Sequence, residues 1–352
     1  MVYLPGPAQE WPGAGAGGFA EQMISDKQLL KNLETAAVEI ARGAGAILKE
    51  NFGRQISVEY KDKNKLDPVT EVDRDCQRYL VQEISRRYPS HSILGEETPD
   101  EPDQPEQSGK SKDSSEMEQP VADFLWVLDP LDGTTNYLNG LPVFACSIGI
   151  LHKGSVVAGA LYLPWPNQDG GFVLHCHRGG GSFADGEPVA VYQSDKPVGN
   201  RLVGLPGSFA QAMRFGKGVK GHTGEPRTTG SIAYELAMTS CGVLQYAVFG
   251  APRMWDMAAG SLAVQEAGGT VMARLPGVRA WKPLDSLVPA WETKPPSVKS
   301  LRGWTASLVA GNQQVAPLLA ENLKPRFRPM ARLRFASRRL VRKLRSTGSS
   351  QA

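Results

Sequence analysis

Four short stretches of the chain combine acidic side chains with turn formers in patterns that could do chemistry. Trp126-Val-Leu-Asp-Pro-Leu-Asp-Gly-Thr-Thr-Asn136 runs along an apolar strand into Asp129 and Asp132, three residues apart across a proline, and then into Gly-Thr-Thr, which can open a helix. Two carboxylates beside a helix start suit two ligands at once. Their oxygens hold hard cations, and the unpaired backbone N–H groups of a first helical turn receive a phosphate. Asp-Pro and Asp-Gly are also common turn dipeptides, so this segment alone leaves a purely structural role equally open. Three further clusters shift that balance. Gly95-Glu96-Glu97-Thr98 follows a short apolar strand at 91–94, Asp67-Pro-Val-Thr-Glu-Val-Asp73 forms a polar turn ahead of a helix, and Trp255-Asp256-Met-Ala-Ala-Gly260 places an aspartate at a helix start. Each taken singly is an N-cap or a turn more often than a ligand.

In their order along the chain, the four segments resemble those of the inositol monophosphatase superfamily of magnesium-dependent, lithium-sensitive phosphatases, and the resemblance runs from about residue 27 to 323. It implies a layered αβαβα sandwich, of mixed α+β or α/β class, and a homodimer. It also implies roles for individual residues. Glu96, Asp129 and the backbone carbonyl of Leu131 would hold a first Mg²⁺, and Asp129, Asp132 and Asp256 a second, within a set of two or three ions. Gly133 and Thr134 would offer N–H groups to the phosphate. Glu96 and Thr134, with Asp73 close behind, would orient and deprotonate the attacking water. Asp132, Asp256 and the Gly230-Ser231 pair would line the substrate.

The physical chemistry agrees with that reading. A phosphate monoester repels hydroxide, so its hydrolysis needs cations that neutralise the transferring group, lower the pKa of water and stabilise the leaving alkoxide. Every proposed ligand is oxygen, which favours Mg²⁺ over Zn²⁺. No histidine or cysteine nucleophile motif is present, so direct attack by water is expected rather than a phosphoenzyme. Inositol monophosphate is the first expected substrate. Fructose 1,6-bisphosphate, 3′-phosphoadenosine 5′-phosphate and histidinol phosphate are alternatives, because Phe249 stands where inositol-specific members carry an acid and Arg253 could meet a second anionic group.

The elements that must position these residues are legible as patterns. A helix opens at Ser25, with Leu29, Leu30, Leu33, Ala37, Ile40, Ala41, Ala44 and Leu48 at helical spacing, and ends near Gly53. A strand at 56–60, the polar turn and a helix from about Arg74 to Arg87 follow. Strand patterns then recur from Phe124 through FLWVLD, FACSIGILH, SVVAGALYL and GGFVLHCH. Past residue 200, strands RLVGLP, VLQYAVFG and TASLVAG alternate with helices expected at 232–239, 258–267 and 318–323. The resulting organisation is a flexible leader at 1–24, a phosphatase domain at 25–323 and a basic tail at 324–352. The domain carries an acidic loop insert at 98–123 and an irregular insert at 275–303.

Composition bounds the rest. The 352 residues are 41% hydrophobic and carry a formal net charge of +3, which excludes a disordered, collagenous or disulfide-scaffold protein. The charge is split. Residues 1–323 hold 29 basic and 36 acidic side chains, while Lys324 to Arg345 carries ten basic ones and no acid. On a helical wheel Met330, Leu333, Leu340, Val341 and Leu344 share an arc of about 100° opposite the arginines, with Phe335 the exception, so the tail reads either as a disordered cationic extension or as a basic amphipathic helix that could dock on an anionic membrane surface, on nucleic acid or on an acidic partner. No specific nucleic-acid partner is expected.

Cys76, Cys146, Cys176 and Cys241 form no C-x-x-C, so a reducing compartment is expected, cytoplasmic or plastidic. The absence of an 18-residue apolar run, and of Lys or Arg in the first 26 residues, points to a soluble chain without signal or transit peptide. Gly13, Gly15 and Gly18 satisfy G-x-G-x-x-G, but no apolar strand precedes them. His175 and His177 share one strand face with no further ligand nearby in sequence, so they read as ordinary strand positions. A non-catalytic protein recruited to membrane or nucleic acid through its tail is the competing class. It has no reason to keep five mutually repelling carboxylates.

Overall fold

A computed structural model of the chain describes residues 27–54, 58–60, 68–97, 121–165, 170–219, 221, 223–289 and 291–326. The expected leader, Ser25, nearly all of the acidic insert and the tail beyond Arg326 lie outside the described residues.

Helix α1 (Lys27–Asn51) buries Leu30, Leu33, Ala37, Ile40, Ala41, Ala44 and Leu48 along one face, and Gly53 follows its end at φ 78°. Strands β1 (Val58–Tyr60) and β2 (Pro68–Thr70) pair antiparallel and run directly into α2 (Glu71–Arg87). This corrects the expected polar turn and the helix start near Arg74. Thr70 caps the helix, its hydroxyl accepting from the Asp73 N–H while the Asp73 carboxylate accepts from the Thr70 N–H, so Asp73 belongs to the first helical turn.

A seven-stranded sheet follows in sequential order: β3 (Ser92–Gly95), β4 (Phe124–Asp132), β5 (Ala145–His152), β6 (Ser155–Leu163), β7 (Phe172–His177), β8 (Gly181–Ala184) and β9 (Glu187–Pro188). Only the β3–β4 pair is parallel. The short helix α3 (Thr134–Leu138) separates β4 from β5.

The second half comprises β10 (Leu202–Gly204), α4 (Phe209–Ala212), β11 (Met213–Phe215), β12 (Glu225–Arg227), α5 (Ile232–Ser240), β13 (Leu244–Phe249), α6 (Met254–Glu266), β14 (Gly269–Arg274), β15 (Lys282–Pro283), α7 (Val298–Arg302), β16 (Ser307–Asn312), α8 (Val315–Asn322) and β17 (Leu323–Pro325). Six of these strands form a sheet in the order β12-β10-β13-β16-β14-β15, and β11 pairs with β17. Helix α6 starts at Met254 rather than Ala258, and α8 starts at Val315 rather than Leu318. The 275–303 stretch is not wholly irregular. It contains β15 and α7 and buries Leu284, Leu287 and Trp291. Lys324 and Pro325 pair with β11, so the ordered body extends past residue 323.

Three apolar clusters define five layers. Leu33, Ile40 and Leu80 of α1 and α2 meet Trp126, Leu128, Ile148 and Ile150 on one face of the first sheet. Leu125 and Val127 on its other face meet α5 and α6, which are themselves covered by the second sheet. Leu319 and Ala316 of α8 close the outside against Tyr246, Val248 and Val309. This αβαβα sandwich buries β4 on both faces, which is why that strand reads as a continuous apolar run rather than an alternating one. Close approach fixes the middle contact. A Cβ on Gly149 would lie 2.7 Å from the Ala258 Cβ, and one on Gly159 would lie 3.0 Å from the Ala259 Cα. Helix α6 is therefore pressed onto β5 and β6, and its N-terminus arrives at the end of β4. No described helix is long and apolar enough to cross a membrane.

Candidate active site

Four elements deliver acids to the end of the parallel β3–β4 pair. Asp129 continues the β4 face occupied by Leu125 and Val127, toward α6, and is 1% exposed. Its Oδ1 accepts from the Leu131 N–H (3.1 Å) across Pro130, and the pairing of β4 with β5 slips between Asp129 and Asp132. That irregularity lets two carboxylates three residues apart serve one site. Asp132 Oδ2 accepts from the Ser231 hydroxyl (2.8 Å) and from the Ala233 N–H. Glu96 follows β3, and its N–H donates to the Leu128 carbonyl (2.9 Å), which carries the β3–β4 pairing one residue further. Asp73 and Asp256 both stand at the third position of a helix and both accept from the backbone N–H at its cap, Asp73 from Thr70 (2.9 Å) and Asp256 from Arg253 (2.8 Å). An acid there is favoured by the positive end of the helix dipole.

The remaining expected residues frame this group. Gly133 caps α3 at φ 96°, and a Cβ on it would lie 3.1 Å from both the Ser231 Cβ and the Val143 carbonyl. Thr134 Oγ1 lies 3.2 Å from Asp73 Oδ1 and 3.0 Å from the Leu131 carbonyl, as donor to either. Ser231 is buried; its hydroxyl caps α5 through the Tyr234 N–H (3.2 Å) and reaches Asp132. Gly230 has φ 83° and faces the Asn136 amide. Asn136 itself was only part of a motif in the sequence, yet its Nδ2 donates to the Val143 carbonyl (2.6 Å) and the Thr229 carbonyl (2.7 Å), locking the 133–136 turn to the 229–231 segment. Phe249 is buried in the middle apolar layer, and Arg253 is exposed beside Asp256.

Burial and mutual repulsion dominate the electrostatics of these acids. Burial, together with the charges of Glu96, Asp132 and Asp256, pushes the Asp129 carboxyl well above its usual range, and Asp129 shares a hydrogen bond with Glu96. Burial and the Asp256 charge push Asp132 up, against the pull of Ser231 and Ala233. Burial and the Glu96 charge raise Asp73 to about 6 and Asp256 to about 7, although hydrogen bonds from Thr70 and Arg253 oppose the shift. Among the described residues no three acidic, histidine or cysteine side chains stand as a ready-made metal cage. The donor set nevertheless fits a hard divalent cation. It is all oxygen, it is buried, and Asp129 shares a hydrogen bond with Glu96 where a cation would neutralise both.

Acids gathered with helix N-termini at the ends of parallel strands offer the kinds of group that cations and an anionic substrate would use together. The profile of the inositol monophosphatase family matches residues 29–307, and the chain belongs to that family of phosphatases. It is 32% identical to the fructose-1,6-bisphosphatase/inositol-1-monophosphatase of Thermotoga maritima, over 67% of this chain and 82% of that protein. The Nus factor SuhB of Escherichia coli is 32% identical over the same shares, and inositol monophosphatase 3 of Solanum lycopersicum is 32% identical over 67% and 83%. Among solved structures, the extragenic suppressor protein suhB of Bartonella henselae superposes with a TM-score of 0.60 at 24% identity, over 83% of this chain and 98% of that one. The Thermotoga maritima IMPase gives 0.58 at 25%, over 81% and 93%. The layered fold expected from the sequence is thus the fold observed.

Proposed function

We propose that the protein is a Mg²⁺-dependent phosphomonoesterase that hydrolyses a small phosphate monoester by direct attack of water, with inositol monophosphate as its first substrate. The observation that supports this most is the convergence of Asp73, Glu96, Asp129, Asp132 and Asp256 from four elements, with Asp129 buried and its carboxyl driven up by the other acids. Glu96, Asp129 and the Leu131 carbonyl would hold one ion, and Asp129, Asp132 and Asp256 another. Bound Mg²⁺ would neutralise the phosphoryl oxygens, acidify water and stabilise the leaving alkoxide.

The chain's own residues account for the remaining steps. Thr134 Oγ1 has one proton to donate, and Asp73 Oδ1 and the Leu131 carbonyl are both within reach. When that proton points at Asp73, the Thr134 lone pairs face away and accept a proton from water. Asp73, raised to about 6, stands near the operating pH and can take the proton relayed through the hydroxyl, while Glu96 accepts the second hydrogen bond of the same water. The first N–H groups of α3, starting at Gly133 and Thr134, have no partner within the helix and are directed to phosphate oxygens. Ser231 acts through Asp132, whose orientation it fixes.

A second reading of the substrate, a sugar or nucleotide bisphosphate, is favoured by Phe249 being buried and Arg253 exposed beside Asp256. Phosphate release from inositol, fructose, nucleotide and histidinol phosphates, with Mg²⁺ and with added Li⁺, tests both. Mg²⁺-dependent turnover inhibited by Li⁺ is expected, and Asp129→Asn should abolish it without unfolding the protein. Full activity in Asp129→Asn, or no turnover on any ester, would sink the assignment.

A further inference from the structure

The 275–303 stretch sends one cation toward the acid cluster. Arg302, the last residue of α7, donates from Nη1 to the Glu96 carbonyl (3.2 Å). The Glu96 backbone is thereby held on both sides, through its N–H by Leu128 in β4 and through its C=O by Arg302. The guanidinium also lies in the field of the Glu97 and Glu96 carboxylates, which support its charge against burial.

The arginine is firmly mounted. Ser297 caps α7 through the Ser300 N–H, Leu301 is 2% exposed, and the Trp304 indole donates to the Leu287 carbonyl (2.9 Å). The same segment also meets Val121, whose N–H donates to the Pro296 carbonyl (3.3 Å). Residues 296–302 therefore hold both Glu96 and Val121 by hydrogen bonds to their backbones.

We propose that Arg302 is a positioning residue for Glu96, and that the 275–303 excursion serves to deliver it. Resting on the phosphatase reading above, the inference assigns Arg302 a role outside the ligand set. It fixes the backbone that carries Glu96, so that the Glu96 carboxylate meets Asp129 at the spacing a shared cation requires. It also opposes the repulsion among the acids from the side of β3. An ammonium replaces the charge but not the planar, directional N–H fork that donates to the Glu96 carbonyl.

Calorimetric titration of the full chain with Mg²⁺ tests this for wild type, Arg302→Ala, Arg302→Lys and Lys299→Ala, the last being an exposed residue of the same helix. Arg302→Ala should weaken Mg²⁺ binding roughly tenfold, the lower end of the loss that outer-sphere partners of metal ligands cause. The Mg²⁺ half-saturation of phosphate release should move in parallel, with substrate KM at saturating Mg²⁺ unchanged. Arg302→Lys should fall between wild type and Arg302→Ala, and it serves as the test variant if Arg302→Ala does not fold. Lys299→Ala should match wild type. Mg²⁺ affinity in the arginine variants equal to wild type overturns the inference, even if their unfolding midpoints drop. A wild-type chain that binds no Mg²⁺ overturns the phosphatase reading instead.

Discussion

Asp73 serves a helix and a site with one carboxylate. One oxygen closes the capping box with Thr70 and the other receives the Thr134 hydroxyl, so the residue is placed by the helix before any ligand arrives. The cost is electrostatic. Asp73 at about 6 and Asp256 at about 7 hold protons more tightly in the folded chain than the usual value of 3.8 allows in the unfolded one. Their contribution to stability is fully present below pH ~4 and is lost as pH rises through about 6 and 7. For Asp73 a shift of about two pH units corresponds to about 3 kcal/mol. Metal-free protein should therefore show a falling unfolding midpoint between about pH 4 and 7, Mg²⁺ should restore it, and Asp73→Asn should flatten the lower part of the curve. A midpoint rising steadily over that range without Mg²⁺ would contradict the assignment of these shifts.

At the scale of elements, helix starts organise the site. Helices α2 and α6 carry acids in their first turns, α5 holds Asp132 through its cap, and α3 opens at a left-handed glycine. A different device secures α1. Glu34, buried on that helix, takes His175 Nδ1 on one oxygen (2.7 Å) and His177 Nδ1 on the other (2.6 Å). The two histidines do share a strand face, as their spacing requires, but their partner lies 141 positions earlier and could not be found by looking nearby in sequence. Burial pushes Glu34 up, yet the two imidazoles outweigh it and hold the carboxyl below its usual 4.5. The sign is therefore opposite to that of Asp73, since this support is present above pH ~4.5 and is lost as pH falls below it. Glu34→Ala should lower stability by about 2 kcal/mol at pH 7, the scale of hydrogen bonds to a charged group, and by less at pH 4. Thermal unfolding at the two pH values checks this, and equal losses at both would refute the ionic part of the argument.

At the scale of the whole molecule, charge and architecture separate. The acidic site sits at the end of β4, between the first sheet and the α5–α6 layer, while β17, the last described element, pairs with β11. The Arg326 Nε donates to the Met213 carbonyl (3.2 Å), so truncation belongs after Arg326 rather than after Leu323. Removing residues 327–352 should leave turnover on a soluble substrate within about twofold, because the acids of the site and Arg302 beside them all precede residue 327. The same truncation should weaken binding to anionic vesicles, since basic side chains near such a surface contribute about 1 kcal/mol each. Equal vesicle binding with and without the tail would remove the membrane role.

The sequence pointed to the family and its candidate acids through local order. Asp129-Pro-Leu-Asp132-Gly-Thr-Thr, Gly95-Glu96-Glu97, Asp73 and Trp255-Asp256 are short-range patterns, and a carboxylate beside a turn former can be read without knowing what packs above it. Apolar periodicity likewise determined most strands and helices, because burial has a period that the chain itself displays. Element starts were less legible. Asp73 and Asp256 were placed at or before helix starts, whereas each lies inside the first turn, where caps rather than apolar periodicity set the boundary. What only the tertiary structure decided were pairings across long separations: Ser231 with Asp132, Asn136 with Thr229, Glu34 with two histidines and Arg302 with Glu96. A hydrogen bond depends on where the layers bring two atoms, and linear spacing carries no record of that meeting.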